Sequence, residues 1–457
     1  MEKKRILLIH PEISRTKYNF VGVIENECLE LEYISTILKE CGHEVFLYDG
    51  QVEGRLYAKK LESFNPDVVY VCGRTRQENF MLEYCRIAKA VSPQIMTVIG
   101  GLHAQLCYER MYEDYVDFIL TSFDVFKIKD MMEVYFCGNN SIFLDKKDVC
   151  FKVNGEWHYN GSEPFDINKL PLPDRSYFYE HPENYRYLEL THSAWVRTAY
   201  SCPYRCAFCH RNRMNSSRYS ARDIESVVDE IEKIDATNIY IVDDDFLFNR
   251  NRLLRFVELI KEREIKKTYI CYGRADFISE NEDIMALLKE IGLYYVLTGI
   301  ETTSDECLDK YNKKSNMNNN EKAIEICQRL GINMMAMFIL DLDFTGKDFR
   351  HMYKWIKNHK LRHVAVSIYT PELGMEIIEE YRDRLITNNP SHWDYLHVVA
   401  KPSKMGVKRY YYFYYTMLIK LFLRAWRQGV YSFLDYGSYI RSFVGNLFKG
   451  SRENDNE

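Results

Sequence analysis

Three cysteines lie close together in the segment SCPYRCAFCHRN, which covers residues 201–212. Cys202, Cys206 and Cys209 have the spacing C-x3-C-x2-C. Thiolates are soft ligands that bind zinc or iron–sulfur clusters, but a structural zinc site usually has four protein ligands. His210 is a poor candidate for a fourth ligand, and unrelated buried thiols are uncommon at this spacing. The segment therefore favours a [4Fe–4S] cluster in which one iron stays open to another ligand.

The composition indicates a folded protein from a reducing compartment. The chain has 457 residues, of which 46% are hydrophobic and 28% charged, and this length predicts two or three domains. A net charge of −5 provides no electrostatic reason to expect a nucleic acid as partner. Thirteen cysteines scattered along a long chain do not resemble a secreted disulfide framework. The first apolar run, Ile6 to Ile9, is too short for a signal peptide, so we expect a cytoplasmic protein.

The first ~120 residues alternate short apolar strands with amphipathic helices, which predicts an α/β domain with a doubly wound, Rossmann-like parallel sheet. After the fourth strand, Gly100 and Gly101 would let a ligand or another backbone segment approach closely. The pair falls at the carboxyl end of the strand, where ligands bind in such sheets. The predicted strands are Arg5–His10, Glu44–Tyr48, Asp67–Cys72, Ile95–Ile99 and Asp117–Leu120.

A second series of strands and helices begins near Trp195, after a predicted hairpin, FKVNGEWHYNG, and a proline-punctuated linker, KLPLPDRSYF. Six βα units predict a partial (β/α)6 barrel, in which chemistry collects at the carboxyl ends of the strands. The three cysteines follow the first of these strands. The predicted strands are Trp195–Ala199, Asn238–Val242, Thr268–Tyr272, Tyr294–Thr298, Asn333–Leu340 and His363–Ile368.

The segment RYYYFYYTMLIKLFLRAW, from Arg409 to Trp426, is densely aromatic and apolar. It falls short of the roughly 20 apolar residues of a membrane span. We interpret it as a helix packed on the main domain. The alternative is a helix that docks on the surface of a bilayer, which would make the protein membrane-associated through a peripheral contact.

With an aromatic residue, Phe208, before the third cysteine, the triplet resembles the signature of radical S-adenosylmethionine (SAM) enzymes. The resemblance implies that Cys202, Cys206 and Cys209 hold the cluster and that its open iron chelates the amino and carboxylate groups of SAM. Electron transfer from a donor such as flavodoxin or ferredoxin then cleaves SAM to a 5′-deoxyadenosyl radical. The missing fourth ligand would thus be the place where SAM binds.

Polar residues at the ends of three further strands match the same family. The acidic run in YIVDDDF lies where the family holds the amino group of SAM, although it could also be a solvated turn. The arginine of YGRADF follows the third strand, and its structural alternative is an ion pair with those aspartates. The segment TGIETTS resembles the family's G-x-E element near SAM. The residues are Asp243, Asp244, Asp245, Arg274, Gly299 and Glu301, and their strand ends converge on one face of a barrel.

The first domain resembles that of the cobalamin-binding subgroup of these enzymes in the segments NPDVVYVCG, VIGGLHA and KLPLPDR. Further on, FILDLDFTGKDFRHMYKWI and YRDRLITNNPSHWDYLHVV resemble the hopanoid C-3 methylase-like branch, and the resemblance extends to about residue 415. It implies a bound cobalamin with its nucleotide tail beside Gly100 and Gly101. We interpret His103 of the same segment as a structural residue and not as a metal ligand.

Two segments depart from that pattern. The stretch after the first strand, PEISRTKYNF, lacks the histidine of the D-x-H-x-x-G loop, which implies a cobalt without an axial imidazole. The stretch TSFD, residues 121–124, stands where the subgroup usually has a GEGE stretch. Such a change could alter or remove cobalamin binding.

These resemblances imply a cobalamin-dependent radical SAM enzyme that methylates an unactivated carbon of a lipid or natural-product substrate. A non-methylating radical rearrangement or cyclisation is one alternative, and a non-catalytic, partner-binding module with a vestigial cobalamin domain is another. The expected organisation is a cobalamin-binding-like domain (1–135), a linker with the hairpin (136–190), the radical SAM barrel (191–395) and a helical C-terminal region with a disordered tail (396–457).

Overall fold

The computed structural model describes residues 2–13, 24–138, 146–430 and 432–433. Its first unit is built on a seven-stranded sheet in the order β2-β1-β3-β4-β5-β6-β7. The first five of these run parallel, and the last two are antiparallel. The strands are β1 (Arg5–His10), β2 (Glu44–Asp49), β3 (Val68–Cys72), β4 (Met96–Gly100), β5 (Phe118–Leu120), β6 (Val149–Val153) and β7 (Glu156–Tyr159).

Helices cover both faces of this sheet, and its central strands are therefore buried throughout. Every residue of β3 and β4 is buried, as expected for parallel strands with a helical layer on each side. The predicted doubly wound fold is confirmed. The helices of this unit are Leu29–Glu40, Gly50–Glu53, Ala58–Phe64, Glu78–Val91, Leu102–Cys107 and Lys127–Cys137.

The hairpin of β6 and β7 is part of the first sheet. Its strand β6 pairs with β5, so that Cys150 lies opposite Ile119. The ring of Tyr112 stacks on that of Trp157, with centroids 4.7 Å apart. The sequence places this hairpin in a linker because turn residues reveal a hairpin but not the sheet edge that it joins.

The second unit is a six-stranded parallel sheet whose strands pair in chain order, and it confirms the predicted partial barrel. Its strands are β8 (Ser193–Val196), β9 (Asn238–Ile241), β10 (Thr268–Tyr272), β11 (Leu293–Glu301), β12 (Asn333–Leu340) and β13 (His363–Ile368). Its helices are Ile224–Lys233, Arg250–Glu262, Ala275–Glu280, Glu282–Glu290, Asp305–Lys310, Met317–Leu330 and Gly346–Asn358.

The first barrel strand is shorter than predicted. It ends at Val196, whereas the sequence extends it to Ala199. The chain then forms a separate two-residue strand, Ala199–Tyr200, which pairs antiparallel with Ser220–Ala221. This short ladder joins the two ends of the segment that carries the cysteines.

The two units are joined through a buried arginine of the linker, Arg175. Its guanidinium pairs with Glu27 of the first unit and, at 2.8 Å, with Glu230 of a barrel helix. It also donates to the carbonyl oxygen of Trp195 at 2.6 Å. A charge in this position is stable because carboxylates from both units compensate it.

The aromatic segment near the C-terminus forms the helix Val407–Arg427 and packs on the barrel. Tyr410, Tyr414 and Met417 are buried, and the hydroxyl of Tyr410 donates to the carbonyl oxygen of Leu340 at 2.9 Å. Among the described residues, no helix is long and apolar enough to cross a membrane. The predicted disordered tail lies outside the described residues.

Candidate active site

The cysteine loop lies against a loop that follows β11. The backbone N–H of Ala207 donates to the carbonyl oxygen of Tyr311 at 2.9 Å. The ring of Phe208 meets that of Tyr311 edge to face, with centroids 5.4 Å apart. All three cysteines are free and half-buried. The loop is therefore fixed by barrel contacts on one side while its three cysteines stay partly exposed.

The thiols differ in their surroundings. Burial raises the pKa of Cys202 and of Cys209 to about 12, so both are protonated at neutral pH and must release a proton to bind a metal. Arg274 Nη1 donates to the sulfur of Cys206 at 3.8 Å. Within the ranges that the structure describes, no three His, Cys, Asp or Glu side chains are grouped to hold one metal ion.

Asp243 fixes the base of the cysteine loop. Its Oδ1 accepts hydrogen bonds from the backbone N–H groups of Thr198 at 2.7 Å and Ala199 at 2.8 Å, and its Oδ2 accepts one from the Thr198 hydroxyl. This use of both oxygens differs from the cofactor-facing role that the sequence predicts. Asp243 positions the chain just before Cys202.

The next two aspartates have free acceptor capacity. Asp244 Oδ1 lies 3.3 Å from Arg211 Nε, while its Oδ2 is buried without a hydrogen-bond partner among the described residues. Both carboxylate oxygens of Asp245 are buried and lack such a partner in the described part of the chain. Burial raises the pKa of Asp245 to about 7. A cationic or N–H donor would satisfy these oxygens, since buried acceptors are costly to leave unpaired.

Arg274 forms an ion pair, but not with the aspartates that follow β9. Its Nη2 lies 2.7 Å from Asp276 Oδ2, two residues further along. The guanidinium stacks over the Tyr204 ring at 3.8 Å. Arg274 Nη2 also donates to the carbonyl oxygen of Lys313 at 2.6 Å. Arg274 thus connects the cysteine loop to two other barrel loops.

Gly299 and Glu301 form one unit with Lys313, a residue that the sequence does not single out. Glu301 has a left-handed backbone with φ 62°, and its Oε1 lies 2.7 Å from Lys313 Nζ in a buried ion pair. A Cβ at Gly299 would lie 2.0 Å from the same Oε1. A side chain at 299 would therefore displace the Glu301 carboxylate, which folds back over this glycine.

The glycine pair at the end of β4 is restricted by packing inside the protein itself. A Cβ at Gly100 would lie 1.8 Å from the hydroxyl of Tyr70. Gly101 has φ 95°, and a Cβ there would lie 2.7 Å from the carbonyl oxygen of Gly73. A cofactor's need for space is thus not the sole reason for these glycines. At Gly101 the close approach of another backbone segment, which the sequence analysis left open, is observed. His103 is buried and its Nε2 hydrogen-bonds to Glu78, which agrees with a structural role.

A pair of thiols lies at the carboxyl edge of the first sheet, and the sequence analysis missed it. Cys72 ends β3, and its sulfur is 3.9 Å from that of Cys28, 44 residues earlier. His10 ends β1, and its Nδ1 lies 3.3 Å from Asp49 Oδ1. This edge between β1 and β3 is where ligands bind in sheets of this strand order. A separation of 44 residues provides no local spacing signal for such a pair.

The carboxyl edge of the first sheet faces the cysteine loop. Phe123 of the TSFD stretch stacks on Tyr200, with ring centroids 4.6 Å apart. Arg197 lies over both rings, and its Nε and Nη1 are buried without partners among the described residues. Arg74, two residues after the end of β3, is exposed to solvent. Side chains of both units therefore line the space between them.

Comparison with known families assigns both units. Residues 196–356 match the radical SAM superfamily, and residues 25–123 match the B12 binding domain. The chain is a radical SAM enzyme with a B12-binding domain. The expected cofactors, a [4Fe–4S] cluster, SAM and cobalamin, follow from these two families, and the match of the second one extends into the altered TSFD stretch.

Curated relatives of this radical SAM enzyme carry out more than one reaction. It is 24% identical over 414 residues to hopanoid C-3 methylase of Methylococcus capsulatus. This alignment covers 89% of this chain and 78% of the relative. It is also 24% identical over 445 residues to the anaerobic magnesium-protoporphyrin IX monomethyl ester cyclase of Cereibacter sphaeroides, covering 93% and 72%. The resemblance to the methylase branch is confirmed, and the same scaffold also occurs in a cyclase.

Solved structures share its fold. The radical SAM methyltransferase TsrM from Kitasatospora setae, with cobalamin and a [4Fe–4S] cluster bound, superposes with a TM-score of 0.67 at 17% identity over 88% of this chain and 83% of TsrM. The cobalamin-dependent SAM radical enzyme OxsB superposes with a TM-score of 0.64 at 18% identity. That match covers 83% of this chain and 56% of OxsB.

The side chains between the two units fit a [4Fe–4S] cluster, SAM and cobalamin. The cysteine loop presents three thiols, the number that leaves one iron of a [4Fe–4S] cluster open. The unpaired carboxylate of Asp245 fits a cationic amino group such as that of SAM. The unpaired donors of Arg197 and the accessible Arg74 can hydrogen-bond to the polar periphery of a corrinoid.

Proposed function

We propose that this radical SAM enzyme transfers a methyl group to an unactivated carbon of a lipid or natural-product substrate. The contact between Phe123 and Tyr200 is the main support for this proposal. Phe123 ends the B12-binding match, and Tyr200 lies two residues before Cys202. Groups held by the two units would therefore share one space, in which a substrate carbon can lie near both.

The protein supplies position and an enclosed polar site. When bound, the cluster and SAM supply a radical that abstracts a hydrogen atom, and cobalamin supplies a carrier for the methyl group. Cys202, Cys206 and Cys209 would hold the cluster, while Asp245 would accept a hydrogen bond from the amino group of SAM. Preorganised groups of this kind act by orientation and by electrostatics.

The Glu301–Lys313 pair and Arg274 would maintain the geometry of the SAM side of the site. The pair is buried and closed at 2.7 Å, and Arg274 donates to the Lys313 carbonyl oxygen. These contacts tie the ends of β10 and β11 to the loop that holds Tyr311, and through it to the cysteines. A buried network of this kind keeps its geometry only while each of its polar groups has a hydrogen-bond partner.

A second candidate reaction is a radical cyclisation or rearrangement without methyl transfer. The specific support is the 24% identity over 93% of the chain to the magnesium-protoporphyrin IX monomethyl ester cyclase. Both reactions would begin with removal of a hydrogen atom from the substrate. They differ in whether a methyl group from SAM reaches the product.

The test uses the anaerobically reconstituted full chain with cobalamin, a reductant and SAM labelled in its methyl group. Lipid extracts and natural-product fractions serve as substrate sources. We expect label in one extracted product, which is heavier by one methylene, and S-adenosylhomocysteine and 5′-deoxyadenosine in near-equal amounts. Formation of 5′-deoxyadenosine with a substrate, but without S-adenosylhomocysteine above background, would establish the cyclisation class instead.

A further inference from the structure

The helix Val407–Arg427 has one face that the rest of the described structure leaves uncovered. Its buried side chains are Tyr410, Tyr414, Met417 and Ala425, which face the barrel. On the opposite side, four large apolar residues are exposed: Tyr412 by 65%, Ile419 by 59%, Leu423 by 42% and Trp426 by 53%. Their spacing of seven, four and three residues places them along one face of a helix.

We infer that this exposed face, defined by Tyr412, Ile419, Leu423 and Trp426, binds the surface of an anionic phospholipid bilayer. The four side chains extend over about 21 Å of helix axis at 1.5 Å per residue. Tyrosine and tryptophan at the two ends have an apolar body and a polar tip, and such rings favour the headgroup region. The inference does not depend on the reaction that the enzyme catalyses.

Charge distribution indicates which surface the face meets. Between residues 395 and 434 the chain has no aspartate or glutamate, whereas residues 401–427 include seven lysines and arginines. This cationic segment belongs to a chain whose net charge is −5. Lys408, Arg409, Lys420 and Arg427 are exposed beside the apolar residues.

Those four cations can extend past the apolar side chains toward lipid phosphates, because lysine and arginine stems are apolar and flexible. Each lysine or arginine near an anionic membrane surface adds to the affinity, and salt weakens that contribution. A helix that combines an apolar face with such flanks lies in the plane of the interface and does not span it. The face therefore matches an anionic bilayer in both apolarity and charge.

Flotation of the full-length protein with vesicles tests the inference. One set of vesicles contains phosphatidylcholine alone, and the other contains phosphatidylcholine with phosphatidylglycerol. We expect the protein to bind the anionic vesicles at least about tenfold more tightly, and this preference to fall as salt is raised. Equal binding to both sets, or no binding to either, would overturn the inference.

Variants locate the binding face. Leu423→Glu together with Trp426→Glu should reduce binding to anionic vesicles about tenfold or more, because both glutamates enter the apolar face. The matched control is Leu254→Glu, at a residue 38% exposed on the barrel helix Arg250–Glu262, and it should bind like the unaltered protein. Circular dichroism verifies that each variant is folded.

Two further measurements test whether Trp426 enters the bilayer and whether a second copy of the chain covers this face instead. Trp426→Phe should still bind while losing the blue shift of tryptophan fluorescence that vesicles induce. Sedimentation velocity without lipid should show the same mass for the unaltered protein and the double variant. A dimer that the double variant dissociates would show that a second copy covers this face, and the lipid inference would then be wrong.

Discussion

The carboxylate of Asp243 accepts hydrogen bonds from the backbone N–H and the hydroxyl of Thr198, 45 residues earlier in the chain. The same carboxylate binds the N–H of Ala199 at 2.8 Å. Because these two residues lead directly to Cys202, the end of β9 determines where the cysteine loop begins. The first of the three aspartates is therefore a positioning residue for the cysteine loop.

Replacement of Asp243 should weaken cluster binding without removing a thiol. In Asp243→Ala, buried N–H groups lose their acceptor, and we expect the free energy of unfolding to fall by about 3 kcal/mol. The affinity for iron should drop about tenfold, as for other residues that orient metal ligands. Chemical denaturation and iron analysis measure the two effects. The exposed Asp235→Ala is the matched control, and equal behaviour of both variants would contradict this role.

The three cysteines should be required together for the cluster. Reconstituted protein should contain about four iron and four sulfide ions per chain, and the Cys202→Ala, Cys206→Ala, Cys209→Ala variant should contain neither. Cys307→Ala and Cys327→Ala should keep the cluster, since both residues lie on helices of the barrel. Iron and sulfide analysis decides the matter. A triple variant that retains a full cluster would rule out these ligands.

A methyl group at position 299 should disturb the Glu301–Lys313 pair. In Gly299→Ala the new Cβ would lie 2.0 Å from Glu301 Oε1 and 2.8 Å from Lys313 Nζ. We expect formation of 5′-deoxyadenosine to slow about tenfold or more, because small displacements near the reacting groups are costly. Gly406→Ala is the control, since a Cβ there meets no atom within 4 Å. Unchanged product formation in Gly299→Ala would exclude a role for this pair.

The buried Asp245 should make the cofactor-free protein less stable as pH rises. Burial raises its pKa to about 7 from an ordinary value of 3.8, so the folded state binds more protons than the unfolded state between these values. Stability conferred by the protonated form is present at low pH and is lost as pH rises toward 7. Compared with Asp245→Asn, the free energy of unfolding of the unaltered protein should fall by at most about 1.4 kcal/mol more per pH unit. Denaturation series of the two proteins at several pH values measure this difference, and parallel curves would show that Asp245 does not titrate in this range.

Bound cobalamin should lack a histidine ligand. The stretch after β1 has no histidine, and His10, at the end of β1, is paired with Asp49. Protein expressed with cobalamin should therefore give a cob(II)alamin electron paramagnetic resonance spectrum without coupling to an axial nitrogen. The spectrum of free cobalamin with its own base coordinated is the reference. Axial nitrogen coupling that disappears in His10→Ala would assign His10 as the ligand and contradict the prediction.

The sequence by itself determined the features that depend on neighbouring residues. The parallel strands of both sheets follow from apolar runs bounded by turn residues, and the prediction of a cluster-binding loop follows from three cysteines within eight residues. These signals are local because alternation, spacing and turn chemistry are properties of short stretches. They were sufficient for the two parallel sheets, whereas the expected SAM and cobalamin follow from the resemblance to known families.

Only the tertiary structure decided what each side chain at the strand ends does. Consecutive aspartates point in different directions, so that Asp243 binds the cysteine loop while Asp245 stays unpaired. Lys313 and the Cys28–Cys72 pair meet their partners across 12 and 44 residues of sequence. The hairpin of β6 and β7 likewise joins the first sheet through an edge that its own turn residues do not specify. Contacts of this kind arise from the packing of whole elements, and no spacing within a short segment encodes them.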